Sequence, residues 1–247
     1  MLAQASAWQP PDAAARVAED LTWETRRMPA RQAPEPASVC LLDSSYGAEA
    51  ASLLYRAYRN DATFRWLMDS GRPGYEHRLR TTLRELLRNH IAEQRPALGL
   101  VQNDRLIGIA LVSPPERRLE VTESWGWRWR MLLSAGRRAT RRYLDFHAAV
   151  MACVPPGPHH LLPLFGVLPE YQGQGYGEQL LAALHDWCAQ DPTSHGIVLD
   201  TGNHRYMAFY RRNGYQEIGE VHLGPVREHV FFHPNPQPLA GIPGSRG

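Results

Sequence analysis

The sequence predicts a single mixed α/β domain with a central, largely antiparallel sheet flanked by helices. Three observations predict it. Short apolar runs of strand length alternate with longer stretches of helical periodicity between Ser38 and Phe232. Two of these runs, residues 98–102 and 106–113, are separated only by Asn103, Asp104 and Arg105, which marks a tight hairpin. A third run, residues 161–167, passes through glycines at 173, 175 and 177 into a helical pattern over 178–188.

Taken in order, residues 1–37 are rich in Ala, Pro and Gln and read as a partly disordered extension, with one short helix expected over 12–23. Residues 38–42 form a first strand, and Asp43 or Ser44 can cap a helix over 48–58. Leu79, Leu83, Leu86, Leu87 and Ile91 keep helical spacing within a helix over 75–93. The hairpin follows and ends at Pro114-Pro115. Residues 123–151 then read as one long helix, with Gly126 and Gly136 as points of interruption. Past the motif strand and its helix come a strand over 196–200, a helix around 206–213, and strands near 215–221 and 227–232. The expected organisation is a domain over 38–233 and a disordered tail over 234–247, rich in Pro and Gly.

Composition narrows the function. The chain has 247 residues, 43% of them hydrophobic, enough for one substantial core. It contains no apolar run of about 18 residues, so no membrane span is expected. The first nine residues lack the charged lead and apolar stretch of a secretory signal. A net charge of +2 is small for a protein that grips many phosphates, so no nucleic-acid partner is expected. Cys40, Cys153 and Cys188 are widely spaced and odd in number, with no metal-type pair. A cytoplasmic location and no metal are the expectations. The chain contains no lysine, which excludes a lysine nucleophile, Schiff base or P-loop lysine.

The strand–glycine–helix junction is the most informative segment. Its backbone N–H groups converge at the positive end of a helix, a natural place for a phosphate. The spacing is that of neither a P-loop nor a dinucleotide fingerprint, and a tight turn with no ligand remains an alternative on composition alone. Around it the residues read Val167-Leu168-Pro169, then Gln172-Gly173-Gln174-Gly175-Tyr176-Gly177. Downstream come Ile197-Val198-Leu199-Asp200-Thr201 and Ala208-Phe209-Tyr210-Arg211-Arg212-Asn213-Gly214-Tyr215. In these segments the chain resembles the GNAT superfamily of acyl-CoA-dependent N-acyltransferases, whose diagnostic motif is Gln/Arg-x-x-Gly-x-Gly/Ala after a strand ending in Val-x-Pro. Tyr215 departs mildly, since the family commonly has Phe there. The resemblance covers roughly residues 38–232.

The resemblance implies an N-acetyltransferase that moves an acetyl group from acetyl-CoA, its co-substrate, to a primary amine of a small molecule by direct transfer. Acetylation of a protein or peptide, and a non-catalytic acyl-CoA-binding module, are the alternatives. It implies that Gln172, Gly173, Gln174, Gly175, Tyr176 and Gly177 cradle the pyrophosphate. Phe165, Gly166 and Val167 would pair with the pantetheine arm where two parallel strands splay apart. Asn203 would contact pantetheine, with a turn role for Gly202-Asn203 as an equal alternative. Tyr210 matches the family tyrosine that protonates the departing thiolate; a phenol with a pKa of ~10 carries its proton at neutral pH. None of the cysteines falls on the motif, so transfer through a covalent Cys intermediate is not expected. The general base stays open among Asp200, His159, His160, Glu123 and a water chain, with Glu170 lying too close to the pyrophosphate end. A homodimer is allowed.

Trp125, Trp127 and Trp129 alternate with arginines in a segment that reads as an amphipathic helix, tryptophans on the core and arginines in solvent, rather than a nucleic-acid or membrane surface. This long insert and the 58–67 stretch loosely resemble the puromycin N-acetyltransferase-like branch. That likeness implies that Trp66, Trp125, Trp127 and Trp129 line an acceptor pocket for a bulky amine.

Overall fold

The computed structural model describes residues 36–115 and 125–236. The extension over 1–37 therefore falls almost wholly outside the described residues, as do the expected helix over 12–23, Glu123, and nearly all of the tail. The elements run β1 (Ser38–Leu41), α1 (Gly47–Tyr58), α2 (Ala62–Leu67), α3 (Tyr75–Ala92), β2 (Ala97–Gln102), β3 (Arg105–Ser113), α4 (Trp125–Ala135), α5 (Arg137–Cys153), β4 (His160–Val167), α6 (Tyr176–Ala189), β5 (Gly196–Thr201), α7 (His204–Arg212), β6 (Gln216–Leu223) and β7 (Val226–Pro234). They form one seven-stranded sheet in the order β1-β2-β3-β4-β5-β7-β6. Every neighbouring pair is antiparallel except β4 and β5. The mixed, mostly antiparallel sheet flanked by helices is the architecture read from the sequence.

Local chemistry sets the boundaries. Asn103 and Asp104 both adopt positive φ, 49° and 57°, as a two-residue hairpin whose twist matches its strands requires. Asp43 caps a short 3₁₀ turn, Ser44–Tyr46, that leads into α1. The helix α2 was not expected from the sequence; Asp61 starts it by accepting a hydrogen bond from the Phe64 amide at 2.9 Å. The long helix expected over 123–151 is two helices. Gly136 at φ 84° separates α4 from α5. At the other end of the chain β7 continues to Pro234, and the Asn235 side chain donates to the carbonyls of Cys188 and Ser194, both at 3.1 Å. Ordered structure thus runs past the expected limit at residue 233.

The sheet separates two helical layers. On one face α1, α3 and α4 bury Leu53, Leu54, Leu79, Leu83, Trp127 and Met131 against β3 and β4. On the other, α6 and α7 bury Tyr176, Leu180, Leu184 and Tyr210 against β2, β3, β5 and Phe231. A third cluster joins Val150 of α5 to Val198, Val221, Val226 and Val230. Each fully buried Leu or Val side chain contributes about 1.5–3 kcal/mol relative to exposure. No helix among the described residues is long and apolar enough to cross a membrane.

The tryptophans do not follow the expected pattern. Trp127 is fully buried, but Trp125 and Trp129 are 73% and 58% exposed. Residues two apart lie on different faces of a helix, so three alternating tryptophans cannot all face one core. Trp66 lies under the Arg142 guanidinium at 4.6 Å and against Gly224 of the β6–β7 turn, and packs on the cluster that buries Trp127. Trp125 and Trp129 stay largely exposed.

Candidate active site

The strands β4 and β5 are registered at only two pairs, His160 with Ile197 and Leu161 with Val198. Beyond Leu161, β4 stays paired with β3 through Val167 while β5 continues on β7 through Thr201. Two parallel strands that begin together and end on different partners must open a gap. The glycine turn lies beyond the open end of β4, and the α7 tyrosines lie beyond the open end of β5.

The turn is preorganised by its backbone. A 3₁₀ turn, Pro169–Tyr171, leads from β4, and Gly173 and Gly175 follow at φ 73° and 94°. A residue with a Cβ is strained in that region by about 1–2 kcal/mol. Gly175 is the N-cap of α6 and offers no side chain to the first helical amides. Among the described residues the amides of Gly173, Gln174, Gly175 and Gly177 have no protein acceptor. The Gln172 amide is different. It donates to the Pro169 carbonyl at 3.3 Å, so the run of free donors starts at Gly173 rather than at Gln172. The side chains of Gln172 and Gln174 fasten the loop through the carbonyls of Val167, at 2.9 Å, and Glu170, at 2.8 Å. The Tyr176 side chain is buried against Gln102, which leaves its backbone as the part that faces the turn. This donor set fits a pyrophosphate: free N–H groups at a helix N-terminus, with Arg56 and Arg105 nearby on Glu170.

In the gap, the Tyr58 hydroxyl occupies both the amide and the carbonyl of Phe165, accepting from one and donating to the other at 3.0 Å. In an antiparallel strand those two groups point the same way, so the Phe165 edge that does not serve β3 is held by Tyr58. Gly166 is approached by α1: an added Cβ would lie 3.0 Å from that of Ala57. Val167 is buried beside α6. Tyr210 packs its ring against Phe209, Tyr215 and Phe231. Burial, then the nearby Tyr206, Asp200 and Asp61, push its phenol well above the ordinary range, so it holds its proton at neutral pH. Asn203 is the N-cap of α7, and its Oδ1 accepts from the Arg205 amide at 3.1 Å.

The base candidates separate clearly. His159 and His160 sit at the closed end of the β4–β5 pair, where His160 bonds Ser194 at 2.7 Å and burial lowers its pKa. Glu170 is ion-paired with Arg56 at 2.9 Å and Arg105 at 3.2 Å. Asp200 alone among the described candidates lies at the open end. It has company that sequence reading missed: Glu228 of β7, which hydrogen-bonds both Asp200 and Thr63, and Asp61 at the start of α2. The missed signal was a carboxylate at 228 on the inward-facing series Val226, Val230, Phe232 of a strand. A cavity of about 430 Å³ between α1, α3 and the start of β2 contains none of these groups. On the β6–β7 hairpin, donor atoms of Glu217, Glu220 and His229 lie within 4.8 Å of one another, but Arg211 and His229 already satisfy Glu217 at 2.7 Å each.

Residues 145–217 match the family model described as an acetyltransferase (GNAT) domain. No curated protein sequence matches the chain. Among solved structures, the chain is similar to a protein from Corynebacterium glutamicum titled histone acetyltransferase HPA2 and related acetyltransferase, with a TM-score of 0.58, 20% identity, and coverage of 83% of this chain and 100% of that one. It is also similar to arylalkylamine N-acetyltransferase 2 from Aedes aegypti, with a TM-score of 0.56, 12% identity, and coverage of 81% and 99%. The paiA N-acetyltransferase from Thermoplasma acidophilum, solved in complex with coenzyme A, superposes with a TM-score of 0.51, 13% identity and the same coverage. At these identities the structural matches establish a shared fold. The family match is confined to residues 145–217, the segment that carries the glycine turn and the Tyr210 helix. The acetyltransferase domain match makes the protein an acyltransferase.

Proposed function

We propose that the protein transfers an acetyl group from acetyl-CoA to a primary amine of a small molecule, directly and through a tetrahedral intermediate. The observation that carries this reading is the placement of Tyr210, on α7 beyond the open end of the β4–β5 gap, together with a run of free amides at the glycine turn beyond β4. The amides of Gly173 to Gly177 hold the pyrophosphate and aim the donor along β4. The amine attacks the thioester carbonyl, and the C–S bond breaks with its electron pair on sulfur. Tyr210 gives the thiolate its proton and is reprotonated as the amide nitrogen loses one. No metal takes part in this scheme. Phe165 contributes its backbone once the Tyr58 hydroxyl yields.

The test combines binding and turnover. Acetyl-CoA is expected to raise the melting temperature, and thiol release is expected with a panel of primary amines. Tyr210→Phe should lower kcat by on the order of 10²–10⁴-fold while leaving the acetyl-CoA stabilisation in place. Unchanged turnover in Tyr210→Phe across pH removes the acid role. Absence of stabilisation by any acyl-CoA removes the whole reading.

A further inference from the structure

The sheet face beneath α1, α2 and α5 places acidic side chains where strand alternation elsewhere puts apolar ones. Val226, Val230 and Phe232 of β7 pack there with Val198 of β5, and Glu228 and Asp200 interrupt the two series. Glu228 is 2% exposed and is engaged by the Thr63 hydroxyl and by Asp200. Gly202 makes room for it, since an added Cβ there would come within 2.7 Å of Glu228 Oε2. Asp200 retains partial solvent exposure near the end of β5, after β4 has diverged. Asp61 adds a third carboxylate at the N-cap of α2. Among the described residues no Arg or His forms an ion pair with Asp200 or Glu228. Buried carboxylates without a counter-cation are costly, and a purely structural role leaves that cost unanswered.

A second observation is independent of the carboxylates. Tyr210 is 6% exposed, its hydroxyl makes no hydrogen bond in the protein, and its charged neighbours are Asp200 and Asp61. The ring is buried, but the hydroxyl is not among the buried polar atoms that lack a partner, so an unbonded oxygen there is open to solvent and to a ligand. Tyr210 reaches the gap from the α7 layer, and the carboxylates reach it from the opposite layer. A group that can donate to Asp200 while its reacting partner accepts from Tyr210 completes both.

We propose that Asp200, positioned by the buried Glu228 beside it, receives the acceptor amine as its ammonium ion and removes the proton that blocks attack, which makes the acceptor class small cationic amines. This rests on the acyltransferase reading above. The ammonium N–H gives its proton to Asp200 Oδ, and the freed lone pair forms the C–N bond to the thioester carbonyl. The C–S electron pair leaves on sulfur and takes the Tyr210 proton. The new amide nitrogen then returns a proton to Tyr210, and Asp200 loses its own to solvent. The net change is ammonium plus acyl thioester to amide, thiol and one released proton. Burial, and then the charge of Asp200, push Glu228 far above the carboxylate range, so it keeps its proton. Burial also raises Asp200, against the hydrogen bond from Glu228, toward the near-neutral range in which a general base is effective. The titratable groups facing Asp200 are Glu228 from β7, Asp61 before α2, Tyr58 from α1, Tyr143 from α5 and Tyr210 from α7.

The experiment uses the full chain with acetyl-CoA and two kinds of acceptor. Phenethylamine, histamine and 1,4-diaminobutane are cations at neutral pH, and aniline is uncharged. Wild type is expected to prefer the cations, with kcat/KM rising through the near-neutral titration of Asp200. Asp200→Asn should lower kcat/KM on the cations by on the order of 10²-fold or more and on aniline by less than about 5-fold, with loss of the pH limb. Glu228→Ala should cost about 10-fold, largely restored in Glu228→Gln, which keeps a donor toward Asp200. Stabilisation by acetyl-CoA reports that each variant is folded, and the wild-type pH profile needs no variant. A flat profile, or equal losses on aniline and the cations, overturns the role of the pair and leaves the acyltransferase standing. Acetyl-CoA binding by wild type with no turnover of any amine overturns both.

Discussion

The two sides of the β4–β5 gap are built from different materials. On the α6 side the groups open to a ligand are backbone amides, displayed by two glycines in the left-handed region and a helix that begins without a capping side chain. On the α1–α2 side they are side chains: Tyr58, Asp61, Asp200 and Glu228, drawn from four separate segments and held by burial. A backbone cradle suits a ligand part that does not vary. A cluster of side chains can be re-specified by single substitutions, so it suits the part of the reaction in which selectivity is set. The difference teaches where to expect tolerance: the first side is governed by φ and by helix geometry, and the second by packing and charge.

Perturbations of each side should separate in kind and in size. The largest loss of stability is expected from Trp127→Ala in the helical layer that covers the side-chain face. Trp127 is fully buried, and its truncation should cost about 3–5 kcal/mol in chemical denaturation. Trp129→Ala, on the same helix but 58% exposed, should stay within about 0.5 kcal/mol. A similar cost for the two would mean that α4 packs otherwise than described.

Gly175→Ala comes next. It forces a Cβ onto φ 94° and should cost about 1–2 kcal/mol of stability while weakening acyl-CoA binding about tenfold, read by calorimetry, with acceptor KM unaffected. A change confined to acceptor KM would dissolve the division between the two sides.

The smallest effect is the dependence of stability on pH, and here the buried histidines and the buried Glu228 act in opposite directions. Burial lowers His90 of α3 and His185 of α6 to about 4. The unfolded chain binds protons at those positions as pH falls below about 6.5, the folded chain does not, and stability is lost between there and about 4. Glu228 is raised, so its contribution is complete in acid and is lost as pH rises above the ordinary carboxylate range. Urea midpoints across this range should pass through a maximum, and Glu228→Gln should flatten the alkaline limb alone. A steeper alkaline limb in that variant would contradict a protonated Glu228.

Much of the backbone-built side was legible because its information is local. Val167, Pro169 and the glycines at 173, 175 and 177 are consecutive in the chain, and a glycine's φ freedom is a property of the residue itself. Strand order could be read coarsely from alternation and from the Asn103-Asp104 turn. The division at Gly136 was available as one of two glycines, and nothing local favoured it over Gly126. The Trp segment misled because alternation by two was read as one amphipathic face, although period two on a helix places neighbours on different faces. Asp61 lay in a stretch that was noticed without its capping role, and Glu228 passed as an exposed charge on a short strand.

The sequence by itself determined the antiparallel-rich α/β frame, the glycine turn and the tyrosine on the helix that follows the next strand. These depend on period, turn chemistry and spacing within short windows. Only the tertiary structure decided that β4 and β5 part after two residue pairs, that Tyr58 holds the Phe165 edge, and that Asp200 and Glu228 become neighbours near Tyr210. The physical reason is that strand register and burial are collective. A carboxylate acquires a raised pKa from what surrounds it, and what surrounds Asp200 comes from residues 58, 61, 143, 210 and 228, which meet only when the sheet has closed.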